Sequence, residues 1–172
     1  MDERSPVDEK VAESQESQPE PMTEREIFIE QVIRWRDSMK AWEEAEGDMK
    51  DRPKPEFLPD GVWDVIPQPL YWRVLVVPLP AEEKTKGGII LGGGVKAAQE
   101  YNTHAGVIVW YGSEAWKSDK FANSDWPQMG DFVLLSRYSG HRFEFAGQRL
   151  ILVNEDELIA TLEDPTKLKC YI

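Results

Sequence analysis

Residues 129–163 read MGDFVLLSRYSGHRFEFAGQRLILVNEDELIATLE, a succession of short apolar or alternating runs broken by Gly, Ser and Asn. Periods of two between turn-forming residues predict strands over 131–137, 142–145, 149–153 and 158–162. The same texture extends back to Pro69 and adds strands over 72–77 and 105–111. Six short strands with local turns predict a small β-barrel, because closing or nearly closing a sheet removes its exposed edges. Two long insertions interrupt the pattern, at 82–104 and 113–129, and segments of that length inside a compact domain usually carry function.

Ahead of the strands the periodicity changes. Thr23 and Glu26 have the spacing of a capping box, in which the Thr hydroxyl accepts from the N3 amide and the Glu reaches back to the Thr amide. From there Phe28, Val32, Trp35, Met39 and Trp42 recur at steps of four and three, so a helix with one apolar stripe is predicted over 23–50, widened by Ile29 and Ile33. Gly47 is expected to end its regular part. The stripe should dock on the chain's own barrel or a neighbouring subunit, or else contact a partner or substrate. Prolines in RPKPEFLP predict an extended linker over 51–66. Residues 1–22 hold seven acids and two bases with no aromatic residue, the composition of a disordered tail.

A net charge of -12 disfavours nucleic acid and anionic membrane surfaces as partners. No apolar run approaches the roughly 20 residues that span a bilayer, and the first twenty residues are acidic where a secretion signal would be basic and then apolar, so a cytoplasmic location is expected. The lone Cys170 cannot form an internal disulfide.

The insertion EEKTKGGIILGGGVKAA, 82–98, sets Ile89, Ile90 and Leu91 among five glycines. A phosphate-binding loop is excluded, since Gly93 and Gly94 stand where Lys and Ser or Thr are needed. Alone, the tract fits a buried strand with glycine-rich turns as well as a tethered arm. His104 and His141 have no metal-ligand spacing, and Glu155, Asp156 and Glu157 read as a solvated turn. Neither a catalytic constellation nor a metal site is expected. Trp110 reads as core, whereas Trp116 and Trp126 fall in a long polar loop and are expected to be exposed for contact with another chain or a bound protein.

Four tracts together resemble the GroES-like co-chaperonin family: PLYWRVLVVPLPAEEKTKGGIIL, AGVIVWYG, MGDFVLLSRYSG and NEDELIATLE. They occur in order between about residues 67 and 163. Pro69, Leu70, Arg73 and Val74 match the family's opening strand. Gly87, Gly88, Ile89, Ile90 and Leu91 match its mobile loop. Gly130, Asp131, Tyr138 and Gly140 match its Gly-Asp strand, and Asp156, Leu158, Ile159 and Ala160 its closing one.

The resemblance implies a mainly β fold: a partly open barrel with a mobile loop and a roof loop at 113–129, here preceded by the amphipathic helix and followed by a tail at 164–172. It further implies a homo-oligomeric ring of seven that caps a large chaperonin ring and encloses unfolded substrate protein. ATP would be bound by that partner, so no cofactor and no enzymatic activity are expected of this chain. The roof and cavity residues would include Trp116, Phe121, Trp126 and Tyr138. Trp72, Gly92 and the aromatic roof depart from the family pattern, and such divergence would suit a phage-encoded member acting in its host's cytoplasm. A non-chaperone β-barrel adaptor, for instance one associated with virions, is the alternative; it would bind without nucleotide dependence.

Overall fold

The structure, a computed structural model, describes residues 19–82, 90, 92–94 and 104–169. Helices α1 (Glu24–Glu44) and α2 (Val62–Val65) precede strands β1 (Arg73–Pro78), β2 (Ala105–Tyr111), β3 (Phe132–Leu135), β4 (His141–Phe145), β5 (Gln148–Asn154) and β6 (Leu158–Leu162). The six strands form one sheet in the order β4-β5-β1-β2-β3-β6, with every neighbouring pair antiparallel. The sheet is not closed, as expected of a partly open barrel. β2 and β6 have the bounds read from sequence, whereas β3 is shorter than the expected 131–137 and β1 begins one residue later than expected.

The β4–β5 turn explains its own sequence. Phe145 pairs with Gln148, leaving Ala146 and Gly147 as a two-residue connection with φ of 49° and 78°. Two successive left-handed residues match the twist of the flanking strands, which tight hairpins require.

The central strands read as unbroken apolar runs because both faces of the sheet are covered. Alternate residues of β1 enter opposite cores: Leu75 and Val77 join one cluster, Val74 and Val76 the other. A register shift between β1 and β2 pairs Leu75 with Trp110 but Val76 with Ile108, so Val109 is the extra residue. Val109 and Trp110 consequently both serve the first cluster, while Tyr111 returns to the second.

Helix α1 covers the first face. Thr23 accepts from the Glu26 amide at 3.2 Å, and Glu26 accepts from the Thr23 amide at 3.0 Å, so the expected capping box is present. Phe28, Val32, Trp35 and Met39 are buried in the same cluster as Leu75, Val77, Val107 and Leu150. Ile29 is buried as well, but Ile33 is 38% exposed and lies off the stripe. Trp42 is half-buried, and its indole donates to Asp48 O at 3.1 Å. At Gly47 a Cβ would come within 2.3 Å of that indole, so this glycine serves close approach, while Glu46 takes the left-handed turn at φ 50°.

The segment expected to be an extended linker is instead packed. Leu58, Val62 and Ile66 are buried, and Phe57 meets Phe28 and Trp35 edge-on at 5.2 and 5.5 Å. Residues 53–59 are free of helix, but the apolar residues among and after the prolines fold the segment against α1 and the sheet. Gly130 sets the helix's approach on the other side: with φ 87°, a Cβ there would stand 2.7 Å from Arg36 Cβ.

Candidate functional site

The first insertion leaves the sheet between two paired strands. Pro78 opposes Gly106, and the Leu79 amide donates to Ala105 O at 3.0 Å. Gly106 permits the approach, since a Cβ there would lie 2.5 Å from Val77 O. Leu79 and Ala81 are buried, and Glu82 meets Arg25 of helix α1 at 3.1 Å. On the return side the His104 carbonyl accepts from the Leu135 amide at 2.6 Å. Among the described residues the His104 Nδ1 is buried without a hydrogen-bond partner, and burial, then the Arg142 and Arg137 charges, hold the imidazole below its usual pKa.

Of the tract singled out in sequence, Gly87, Gly88, Ile89 and Leu91 lie outside the described residues. Ile90 is described and is 76% exposed, followed by the exposed Gly92, Gly93 and Gly94. Ile90 is thus an apolar side chain in solvent on an insertion that leaves β1 and returns at β2.

The second insertion is anchored along its length. The Gly112 amide donates to Arg73 O and the Glu114 amide to Tyr71 O, both at 2.9 Å. Trp116 corrects the expectation of an exposed contact residue: it is 4% exposed and packs edge-on against Tyr111 at 5.0 Å. Its amide donates to Glu155 Oε2, and its left-handed backbone, φ 57°, is held by that bond and by the ring's burial. Lys120 sits 3.8 Å from Glu155 and 3.6 Å from Asp156, so the acidic turn neutralises and braces the insertion. Phe121 is half-buried on the same cluster. Trp126 and Tyr138 are the exposed members, and Tyr138 stands almost wholly in solvent. The four aromatic residues therefore separate into two that hold the loop and two that present a surface.

Phe28, Val32, Trp35 and Met39 face the chain's own sheet, with Trp42 at the edge of that contact. Sequence reasoning missed two features. Arg52 packs on Trp110 and beside Trp63, at 3.3 and 5.1 Å from the ring centroids, and burial lowers its pKa to about 10. Arg25 joins the helix to the root of the first insertion. The aromatic content of 57–63 was a usable signal for the first; nothing local announces the second. Among the described residues, no group of three or more His, Cys, Asp and Glu side chains could hold a metal ion, and no helix is long and apolar enough to cross a membrane.

Comparison with known proteins agrees with this architecture. Residues 67–162 match the family described as chaperonin 10 kDa subunit. Proteins named co-chaperonin GroES are similar over the same portion. One from Clostridium botulinum is 33% identical over 96 residues, 56% of this chain and 97% of the relative. One from Phocaeicola vulgatus is 33% identical over 95 residues, 55% and 96%. One from Lactobacillus helveticus is 33% identical over 93 residues, 54% and 95%. Helix α1 and the packed segment after it lie before the matched portion. With its six antiparallel strands, the insertion after β1 and the second insertion after β2 all inside that match, the chain belongs to the chaperonin 10 kDa subunit family.

Proposed function

We propose that this protein is a co-chaperonin that caps a large chaperonin ring through the tract Gly87, Gly88, Ile89, Ile90 and Leu91. The observation that carries the reading is the family match, which includes the insertion bearing the exposed Ile90. The chain assembles as a homo-oligomeric ring of seven in the cytoplasm. ATP binding and hydrolysis belong to the partner, whose closed chamber holds unfolded substrate protein. Trp126 and Tyr138 are the aromatic surface offered towards that chamber, while Trp116 and Phe121 keep the roof segment in place.

Each of the three apolar residues gains about 1.5–3 kcal/mol on full burial in a partner groove. Ordering a glycine-rich segment opposes that gain, so a single arm binds weakly. A ring of arms acts at high effective concentration and still releases when the partner changes shape.

The test is co-sedimentation of the purified protein with a large chaperonin ring in the presence of ATP or ADP. Nucleotide-dependent association that Ile90→Asp abolishes without altering ring mass is the expected result. Normal capping by Ile90→Asp would overturn the assignment of the tract, and stable binding to another protein without nucleotide dependence would favour an adaptor instead.

A further inference from the structure

The route by which the chain leaves β1 is built, residue by residue, against the first turns of helix α1. Pro78 and Pro80 fix φ on either side of Leu79. Leu79 is buried in the cluster that contains Phe28, Ile29 and Val32, and Ala81 is buried two residues later. Glu82 then reaches Arg25, whose side chain is only 8% exposed and whose Nη1 donates to Glu82 Oε1 at 3.1 Å. Among the described residues this is the carboxylate Arg25 meets, and its Nε is buried without a partner. A nearly buried guanidinium held by one carboxylate strongly prefers that carboxylate in place. The contact links residues 57 positions apart and ties an element outside the family match to the root of the insertion inside it.

We propose that helix α1 moors the insertion after β1, with Arg25 and Glu82 as positioning residues that fix the direction in which the partner-binding arm leaves the sheet. This rests on the reading that the insertion contacts a chaperonin ring. The pair stands at the root of the insertion, and the tract assigned to the partner begins only at Gly87. Its effect comes through geometry. Several weak arms must engage together, and effective concentration depends on how many point correctly at once. A twofold loss in each arm's productive fraction, compounded over seven arms, would weaken capping about a hundredfold.

The experiment uses the full-length ring with Glu82→Ala, Arg25→Met and the charge exchange Arg25→Glu with Glu82→Arg. Nucleotide-dependent binding to a large chaperonin ring is titrated beside ring mass, thermal midpoint and the rate of tryptic cleavage after Lys84 and Lys86. Glu82→Ala, at a half-exposed position, is the variant least able to disturb folding. Capping weakened at least tenfold and cleavage accelerated in the single variants, ring mass and midpoint unchanged, and capping partly restored by the charge exchange are expected. Wild-type capping in Glu82→Ala and Arg25→Met would overturn the proposal. If the wild-type ring binds no chaperonin, the functional reading fails, and cleavage alone decides the mooring: faster cleavage in the single variants sustains it, equal rates overturn it.

Discussion

The Arg52 guanidinium carbon lies 3.3 Å from the centroid of the Trp110 ring and 5.1 Å from that of Trp63, which meets Trp110 edge-on at 5.7 Å. The side chain is buried, contacts Met129 Sδ, and has a pKa lowered to about 10 chiefly by desolvation. Its flat head packs on Trp110 in the corner that the two indoles make, so packing outweighs charge. Arg52→Met is expected to change stability by less than about 1 kcal/mol, because a buried charge can be replaced by an apolar group of similar volume at little cost. Arg52→Ala should lose about 2–3 kcal/mol by leaving both rings undersupported. Urea denaturation followed by tryptophan fluorescence measures both.

Gly130 and Gly147 have similar left-handed backbones, φ 87° and 78°, but different surroundings. A Cβ at Gly147 meets nothing within 4 Å, whereas at Gly130 it would collide with Arg36 of α1. Gly147→Ala should therefore show backbone strain alone, about 1–2 kcal/mol. Gly130→Ala should add about 1–3 kcal/mol for displacing the helix. Equal losses in a denaturant series would show that the helix does not rest on this glycine.

Val32 and Ile33 are consecutive on α1, the first fully buried and the second 38% exposed. Val32→Asp buries an unpaired carboxylate against Leu75 and Val107 and should cost more than about 3 kcal/mol. Ile33→Asp should stay within about 0.5 kcal/mol, as surface changes do. Paired thermal melts of the two variants check the orientation of the helix.

His104 supplies a pH dependence. Burial, followed by Arg142 and Arg137, lowers its folded-state pKa below the ordinary value of 6.5. Between the two values the unfolded chain binds more protons, so this residue's contribution to stability is complete above pH 6.5 and is lost as pH falls through the folded value. The difference in thermal midpoint between wild type and His104→Gln should shift against wild type on acidification below that pH. A difference that is flat with pH would remove His104 as the source.

Much of this fold was legible because its signals are local. The capping box at Thr23, the stripe from Phe28 to Met39 and the apolar run of β2 each need only neighbouring residues to be recognised. Trp116 was misread because its burial depends on Tyr111 and on a carboxylate from Glu155, distant in sequence. The segment after Gly47 was misread because its prolines argued for extension, while Phe57, Leu58 and Trp63 found partners only once α1 was docked. The exposed Ile90 was legible by composition, but the Arg25–Glu82 contact that fixes its root was not.

The strand order places β1 at the centre, paired with β2 on one side and β5 on the other. The β4–β5 hairpin and helix α1 can form from nearby residues, within microseconds. β1 must instead find β5 across the whole of residues 79–147, and loop closure precedes any reward from that pairing. The rate at which a newly made chain completes its sheet is therefore set by its longest-range strand pairing. Until it forms, helix α1 has no completed face to cover, and its tryptophans are exposed to any other unfolded chain nearby.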